Sequence, residues 1–280
     1  MPEARRPAVE WIQLRPGTLV TDRLLVDFGA IALTRRRFGV AFKGEGDVGS
    51  GTTFFGLLEN ASGSARWDGL DITRDDVATT RGRFDICAGA AESFYTVTVR
   101  DERHSFREVP SEPALTRSRF ASELRRYLRF VLTDGDLAVR NAQTIEGNLI
   151  PLLAAAVSGD GEPVEPSRPR SRRIKAVREC QAYIQDRMAE TVTLRQLSAV
   201  SGLRPRSLIN AFEAVTGTSP MAYLRAQRLG HVRRALERAN RARTRVIDVA
   251  ANWGFWHMGH FASAYRVMFG ETPSQTLSKR

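Results

Sequence analysis

The residues best suited to chemistry stand together in GFWHMGHFASAYRVMFG, residues 254–270, where His257 and His260 lie three apart just after a Gly-Phe turn. Imidazole is a common metal ligand and titrates nearest neutrality, so this spacing raises a metal site or half of a catalytic apparatus. A metal site needs further His, Cys, Asp or Glu ligands converging on the same point. The nearest carboxylates in sequence, Asp248 and Glu271, fall outside the helix that would carry the pair, and neither cysteine, Cys87 or Cys180, adjoins it. No metal and no cofactor is expected. Residues 1–167 hold a single histidine, His104, too few for a multi-His metalloenzyme of the cupin kind, and a lone histidine is more often surface or core than catalytic. The chain also lacks a P-loop, a G-x-S-x-G elbow and a dinucleotide-binding glycine loop, so it is not expected to be an enzyme. Two readings of the histidine pair remain, a piece of core and a surface that touches something else.

The element that carries them is the second copy of a repeat. LSAVSGLRPRSLINAFEAVTGTSP (197–220) and VAANWGFWHMGHFASAYRVMFGETP (249–273) share a Gly-apolar turn, Gly202-Leu203 and Gly254-Phe255. Beyond it, Leu208, Phe212, Gly217 and Pro220 match Phe261, Tyr265, Gly270 and Pro273, with one residue inserted in the second turn. Each copy reads as a short helix, a turn and a longer helix, over about 194–216 and about 246–269, which is the helix-turn-helix pattern. In that motif the second helix enters the major groove of DNA while the first crosses the backbone.

Helical periodicity gives the two longer helices equivalent free faces. Leu208, Ala211, Phe212 and Val215 form the inner side of one, with Arg206, Asn210 and Glu213 opposite. Phe261, Tyr265 and Met268 do the same for the other, with Gly259, Ser263 and Arg266 opposite. Arg206 can donate bidentately to guanine and Asn210 can pair with adenine, whereas Gly259 admits close approach and Ser263 is a permissive partner. Arg266, a turn deeper, suits phosphate, which positions without specifying. Glu213 would repel phosphate unless it meets a cytosine amino group or a neighbouring arginine. The expected DNA-binding set also takes in the helix-start residues Arg204, Ser207, His257, Met258 and His260. Of these, His260 flanks the DNA face and His257 is expected to pack beside Trp256.

These helices belong to a basic half. Residues 168–280 hold 21 Lys+Arg against 7 Asp+Glu, while residues 1–167 hold 21 against 24, so the total of +11 conceals a net of +14 and one of −3. That asymmetry fits a domain that meets a polyanion joined to one that does not. The composition shifts at SGDGEPVEPSRPRSRR, expected to be a linker over 158–173 between a domain of 1–157 and one of 174–280. In the first, residues 9–105 read as short strands: Tyr95, Val97 and Val99 alternate with Phe94, Thr96 and Thr98, and Asp68-Gly69 can form a tight hairpin turn. A β-rich barrel or sandwich is expected there. Phe54, Phe55, Trp67, Phe94 and Tyr95 are candidates for a ligand cavity as well as for plain core. Helices are expected over 115–157. One carries the stripe Phe120, Leu124, Tyr127, Leu128 and Val131; the other carries Val139, Ala142, Ile145, Leu149, Leu152 and Leu153, with Pro151 expected to end or kink it. In the second domain, Ile174, Val177, Cys180, Ile184 and Met188 mark a further helix, and Ser219-Pro220 the start of a long one. The longest apolar run, LIPLLAAAV, is too short to span a bilayer, and the N-terminus lacks a secretion-type apolar core, so a cytoplasmic protein with no membrane partner is expected.

VIDVAANWGFWHMGHFASAYRVMFGETP, with LSAVSGLRPRSLINAF and GTSPMAYLRAQRL before it, closely resembles the DNA-binding domain of AraC/XylS-type bacterial transcription regulators. The resemblance runs from about Ile174 to Leu277, a little over a third of the chain, and departs from the family pattern at Trp256-His257 and at Pro205. It implies an α+β chain of two domains. The first would be a β-rich, cupin-like sensor followed by helices that serve dimerisation; the second would be all-α, with two helix-turn-helix units joined by a long helix. It further implies an activator that binds double-stranded promoter DNA, works with RNA polymerase, pairs with a second copy and answers to a small-molecule effector. The alternative is a regulator whose first domain serves only oligomerisation or a protein partner.

Overall fold

The computed structural model describes residues 8–60, 65–100, 106, 109–158 and 161–279; His104 lies outside the described residues. The chain forms two compact units, one of Met1–Trp11, Val20–Gly39 and Gly44–Pro166 and one of Ile12–Leu19, Val40–Lys43 and Ser167–Arg280.

The strands are β1 (Ala8–Gln13), β2 (Val20–Asp27), β3 (Ile31–Phe38), β4 (Phe42–Asp47), β5 (Thr52–Leu58), β6 (Arg66–Trp67), β7 (Leu70–Asp71), β8 (Asp76–Thr80), β9 (Arg83–Ala88), β10 (Ser93–Arg100), β11 (Ala114–Arg117) and β12 (Glu162–Pro163). They make two open sheets, in the orders β1-β4-β9-β6-β7 and β12-β11-β8-β5-β10-β3-β2, and not a closed barrel. Asp68 (φ 49) and Gly69 (φ 81) turn β6 into β7, the positive-φ hairpin that their sequence favours.

The larger sheet has two differently used faces, as the period of a strand dictates. Tyr95, Val97 and Val99 of β10, with Ile31, Leu33, Phe55, Leu57 and Val77, belong to one hydrophobic core. Three helices complete that core: α1 (Ala121–Val131), α2 (Gly135–Arg140) and α3 (Ala142–Val157), which contribute Leu124, Leu128, Val131, Ala138, Ile145, Leu149 and Leu153. The opposite face carries Phe54, Phe94, Thr96 and Thr98 and lines a cavity, together with Trp67 and Phe84 of the smaller sheet. The aromatic residues that sequence reading groups together are therefore divided by strand alternation. Phe55 and Tyr95 are core, while Phe54, Trp67 and Phe94 line the cavity.

Several boundaries differ from expectation. Residues 114–117 form β11, paired antiparallel with β8, so strand structure continues past residue 105 and the helices begin at Ala121, not at 115. Tertiary pairing overrides the helical pattern there. The second apolar stripe is broken at Asn141, which caps both α2 and α3, and Val139 is left 53% exposed instead of joining the core. Pro151 does not end α3, which runs on to Val157; the proline removes one backbone donor, yet Leu149 and Leu153 on either side are fully buried and hold the helix.

Beyond Ser167 the second unit is helical: α4 (Arg168–Asp186), α5 (Leu194–Ser201), α6 (Pro205–Thr216), α7 (Pro220–Arg238), α8 (Val246–Ala251), α9 (Met258–Phe269) and α10 (Pro273–Ser278). Helix α4 starts at Arg168, inside the stretch read from composition as linker, because Pro169 at its first turn costs no hydrogen bond there. Glu162–Pro163 of that same stretch pairs with β11. Ile174, Val177, Cys180, Ile184 and Met188 are all buried, as their spacing requires. Burial pushes the Cys180 thiol up to about 11, which leaves it a core residue rather than a nucleophile.

Candidate nucleic-acid interface

The first helix-turn-helix unit opens with a reciprocal cap. The Gln196 backbone N–H donates to Thr193 Oγ1 at 3.3 Å while the Thr193 N–H donates to Gln196 Oε1 at 2.8 Å, so two otherwise unpaired donors at the start of α5 are satisfied. Helix α5 ends at Gly202, in the left-handed conformation (φ 65), and α6 starts with Pro205. Leu208, Ala211, Phe212 and Val215 are buried, and the Phe212 ring meets Tyr223 of α7 edge-on at 5.8 Å. Arg204, Arg206, Ser207, Asn210 and Glu213 are exposed, as the periodicity requires. Neither Arg204 nor Arg206 has a carboxylate partner among the described residues, so both guanidiniums are available to a polyanion.

The second unit repeats the plan through α8, a turn at Gly254 (φ 77) and α9. Phe261 and Tyr265 are buried, and the Tyr265 hydroxyl shares a 2.8 Å hydrogen bond with Thr276 Oγ1 of α10. Burial pushes the Tyr265 phenol up to about 12. Gly259, His260, Ser263 and Arg266 are exposed along the side of α9 that corresponds to the free face of α6.

Two residues of the expected set are placed differently. Met258 is half-buried and packs on the core of this unit with Phe255 and Met268, so it faces inward. His257 is exposed rather than packed. It is the N-cap of α9, with extended backbone (φ −106, ψ 95), and a helical wheel does not describe a residue outside the helix. Its ring lies perpendicular to that of His260 with centroids 6.4 Å apart, and no third His, Cys, Asp or Glu joins them among the described residues. The sequence offers one further residue to this surface. Trp256 is 68% exposed immediately before α9, and its only signal was a large ring where the family pattern has a small polar residue.

Helix α7 ties the two helix-turn-helix motifs together. Arg228 donates from Nε to the Met188 carbonyl at 2.8 Å and from its terminal nitrogen to the Glu190 carbonyl, just beyond α4. The same guanidinium lies against the turn of the second unit: a Cβ on Gly254 would come within 3.0 Å of Arg228 Cζ and of the Ala189 carbonyl oxygen. Gly254 is therefore required twice, for its backbone angle and for the space it leaves. Three residues further along α7, His231 stacks on Trp253, the neighbour of Gly254, at 4.2 Å. Glu271 receives Arg233 at 3.4 Å and Lys279 in a closer contact.

Comparison with known proteins follows these boundaries. A family of proteins described as a helix-turn-helix domain matches residues 197–279. The XylDLEGF operon transcriptional activator 2 of Pseudomonas putida is 41% identical over 96 residues, which are 34% of this chain and 61% of that protein. The XylDLEGF operon transcriptional activator 3 of the same organism is 38% identical over 98 residues, 35% of this chain and 30% of that protein. The match thus spans less than two thirds of these relatives. Among solved structures, one described as a probable AraC family transcriptional regulator from Rhodopseudomonas palustris CGA009 is 37% identical and covers 38% of this chain and 96% of that one, at a TM-score of 0.34. Through the repeated helix-turn-helix units of its C-terminal region, the chain belongs to the AraC/XylS family of transcriptional regulators.

Proposed function

We propose that the chain is a sequence-specific DNA-binding transcription activator. The observation that carries this reading is the pair of exposed faces at corresponding positions of α6 and α9, in the half of the chain that holds the excess of positive charge. Arg206 and Asn210 would read base edges from α6. Gly259 and Ser263 would bring the backbone of α9 close to the groove, with His260 and Arg266 on phosphate. Arg204, Ser207 and His257 lie at the ends where such helices meet DNA, whereas Met258 acts through packing.

The remaining parts of the reading concern the first half. Its two facing sheets suit a cupin-like sensor domain, taken here as residues 1–157 and joined through residues 158–173 to the DNA-binding domain of 174–280. The cavity between the sheets supports control by a small-molecule effector. Phe130 is 72% exposed, and Leu137 and Val139 are 52% and 53% exposed, an apolar surface on α1 and α2 that supports pairing with a second copy. RNA polymerase is the partner through which an activator would work. No described helix is long and apolar enough to cross a membrane, and cytoplasm is the compartment proposed.

The test is a genome-wide pull-down of DNA bound by the full chain, followed by footprinting of the enriched sites. The expected result is a recurrent site with two protected segments on one face of the duplex. Recovery of DNA with no shared sequence would overturn the reading.

A further inference from the structure

The two helix-turn-helix copies are entered differently. In the first, the residues before α5 are Ala189-Glu190-Thr191-Val192-Thr193, with one acidic residue and no basic one. In the second, the register that matches Gly202 to Gly254 sets Arg241-Ala242-Arg243-Thr244-Arg245 before α8, three arginines and no carboxylate. The exchange runs against local stability. Thr193 closes a capping box with Gln196 at the start of α5, and Thr272 does so with Gln275 at α10, whereas Arg245 gives α8 no side-chain cap. Cations ahead of a helix also oppose its dipole. Arg245 pairs with Asp248 at 4.0 Å, but both side chains are exposed and such a pair compensates little.

The loop is an ordered turn. Asn240 organises it: its side-chain oxygen accepts the Ala242 N–H at 2.9 Å, and its carbonyl accepts the Arg243 N–H at 3.1 Å. Around Asn240 lies an open hollow bordered by Arg238 and Arg241. Arg238, Arg241, Arg243 and Arg245 are all exposed, and the first three have no carboxylate partner among the described residues. The carboxylate that precedes them, Glu237, is held by Arg233 at 2.9 Å. Like charges fixed side by side without a counter-charge complement a polyanion. When α9 lies in the major groove, α8 is the helix that crosses the backbone. Its six residues, at about 1.5 Å each, carry the chain about 9 Å from the loop towards the turn at Gly254. The groove is about 12 Å wide, so the loop would stand over the strand at its edge, outside the base pairs that α9 faces.

We infer that Arg241 and Arg243, with Arg238 and Arg245 beside them, form a phosphate-binding loop that grips the DNA backbone just outside the segment faced by α9. This rests on the DNA-binding reading above and extends it. The contact carries no sequence information; it adds affinity that grows as salt falls and fixes the position of the copy whose free face is small, with Gly259 and Ser263. An acidic protein surface would also suit these arginines, but their place beside the backbone-crossing helix favours phosphate.

The test uses the full chain and a duplex carrying a footprinted site, with affinity measured from about 50 mM to about 200 mM salt. Arg241→Gln combined with Arg243→Gln removes two cations from an exposed turn whose hydrogen bonds come from Asn240, so the fold should survive. Expected are a salt dependence lower by about two counterions, at least tenfold weaker binding at the low-salt end, and the same loss on random DNA. Lysine at both positions should restore the salt dependence, since it keeps the charge. Neutral methylphosphonates placed just outside one of the two protected segments should weaken the wild type and leave the glutamine variant unaffected; outside the other segment they should affect both alike. Arg243→Gln alone, expected to lower the salt dependence by about one counterion, decides the matter if the double variant fails to fold. An unchanged salt dependence, or a variant as sensitive as the wild type to neutral phosphates at both ends, overturns the inference. So does a variant that binds DNA normally but no longer activates transcription, which would assign the loop to an acidic protein. A wild type that binds no site sinks the DNA-binding reading itself, whereas a wild type that binds its site exactly as the variant does sinks only the loop.

Discussion

Helices α6 and α9 are 12 residues each, both end in a left-handed glycine, and both bury an aromatic residue in the same register, yet they offer opposite chemistry to solvent. Arginine and asparagine occupy on α6 the positions that glycine and serine occupy on α9. On the proposed reading, the polar face of α6 would discriminate bases, while Gly259 and Ser263 of α9 would let its backbone approach them closely. Their surroundings differ in the opposite sense. The turn of the first unit is open, with nothing near a Cβ placed on Gly202, whereas the turn of the second is filled by Arg228 and the Ala189 carbonyl around Gly254. The difference teaches that the copy with the more polar free face has the open turn, and the copy with the smaller free face has the crowded one.

The largest effect should come from that crowding. Gly254→Ala places a Cβ at positive φ and within 3.0 Å of a backbone oxygen, and is expected to cost about 2–3 kcal/mol. Gly202→Ala meets the same backbone strain in open space and should cost about 1 kcal/mol. Urea unfolding followed at the helical signal compares them, and equal losses would remove the asymmetry between the turns.

The reading faces come next in size. Arg206→Ala should weaken binding to the specific site about tenfold to a hundredfold more than binding to random DNA, as loss of a bidentate base contact does. Arg266→Ala should weaken both alike and lower the salt dependence by about one counterion. Titrations against the two DNAs at several salt concentrations distinguish these outcomes, and identical behaviour of the variants would mean that the two helices share one role.

A smaller change separates folding from reading. Gly259 lies in the first turn of α9 with open space around it, so Gly259→Ala should stabilise the helix by about 0.5–1 kcal/mol. If α9 relies on close approach, the same variant should bind the specific site more weakly. Tighter binding together with higher stability would show that the small face of α9 is not used.

How much of this was legible in the sequence depends on whether periodicity or pairing decides. The second half could be read almost residue by residue. Its helices are local, its caps are written as Thr193…Gln196 and Ser219-Pro220, and the repeat checks each copy against the other. The exceptions are His257, which lies at a cap outside the helix, Met258, which packs inward with Phe255 and Met268 instead of facing out, and the crowding of Gly254 by Arg228. In the first half, alternation gave β10 and Asp68-Gly69 gave a hairpin, but residues 114–117 carry no local sign that they pair with β8. The cavity was illegible for the same reason. Arg36, which lines it, is an ordinary strand arginine until the register sets it beside Arg23 and the second sheet closes over it.

The smallest expected effect concerns acid, and it too separates the two copies. Glu271 stands where the first copy has the buried neutral residue Thr218. Burial alone would raise the Glu271 carboxyl, but Lys279, Thr276 and Arg233 outweigh it and hold the group below its ordinary value of 4.5. A carboxyl depressed in the folded state contributes its stability fully above its unfolded value and loses it as pH falls through the lower folded one. The contacts of α10 and α7 with Glu271 should therefore weaken only below pH 4.5, and by no more than about 1 kcal/mol, because Lys279 is 66% exposed and screened. Hydrogen exchange of the amides of α9 and α10, compared with those of α5 and α6 between pH 6 and pH 3, measures this directly. Protection should fall faster in the second copy, and Glu271→Gln should abolish the difference; if both copies lose protection in parallel, the carboxylate is not what holds the second unit together.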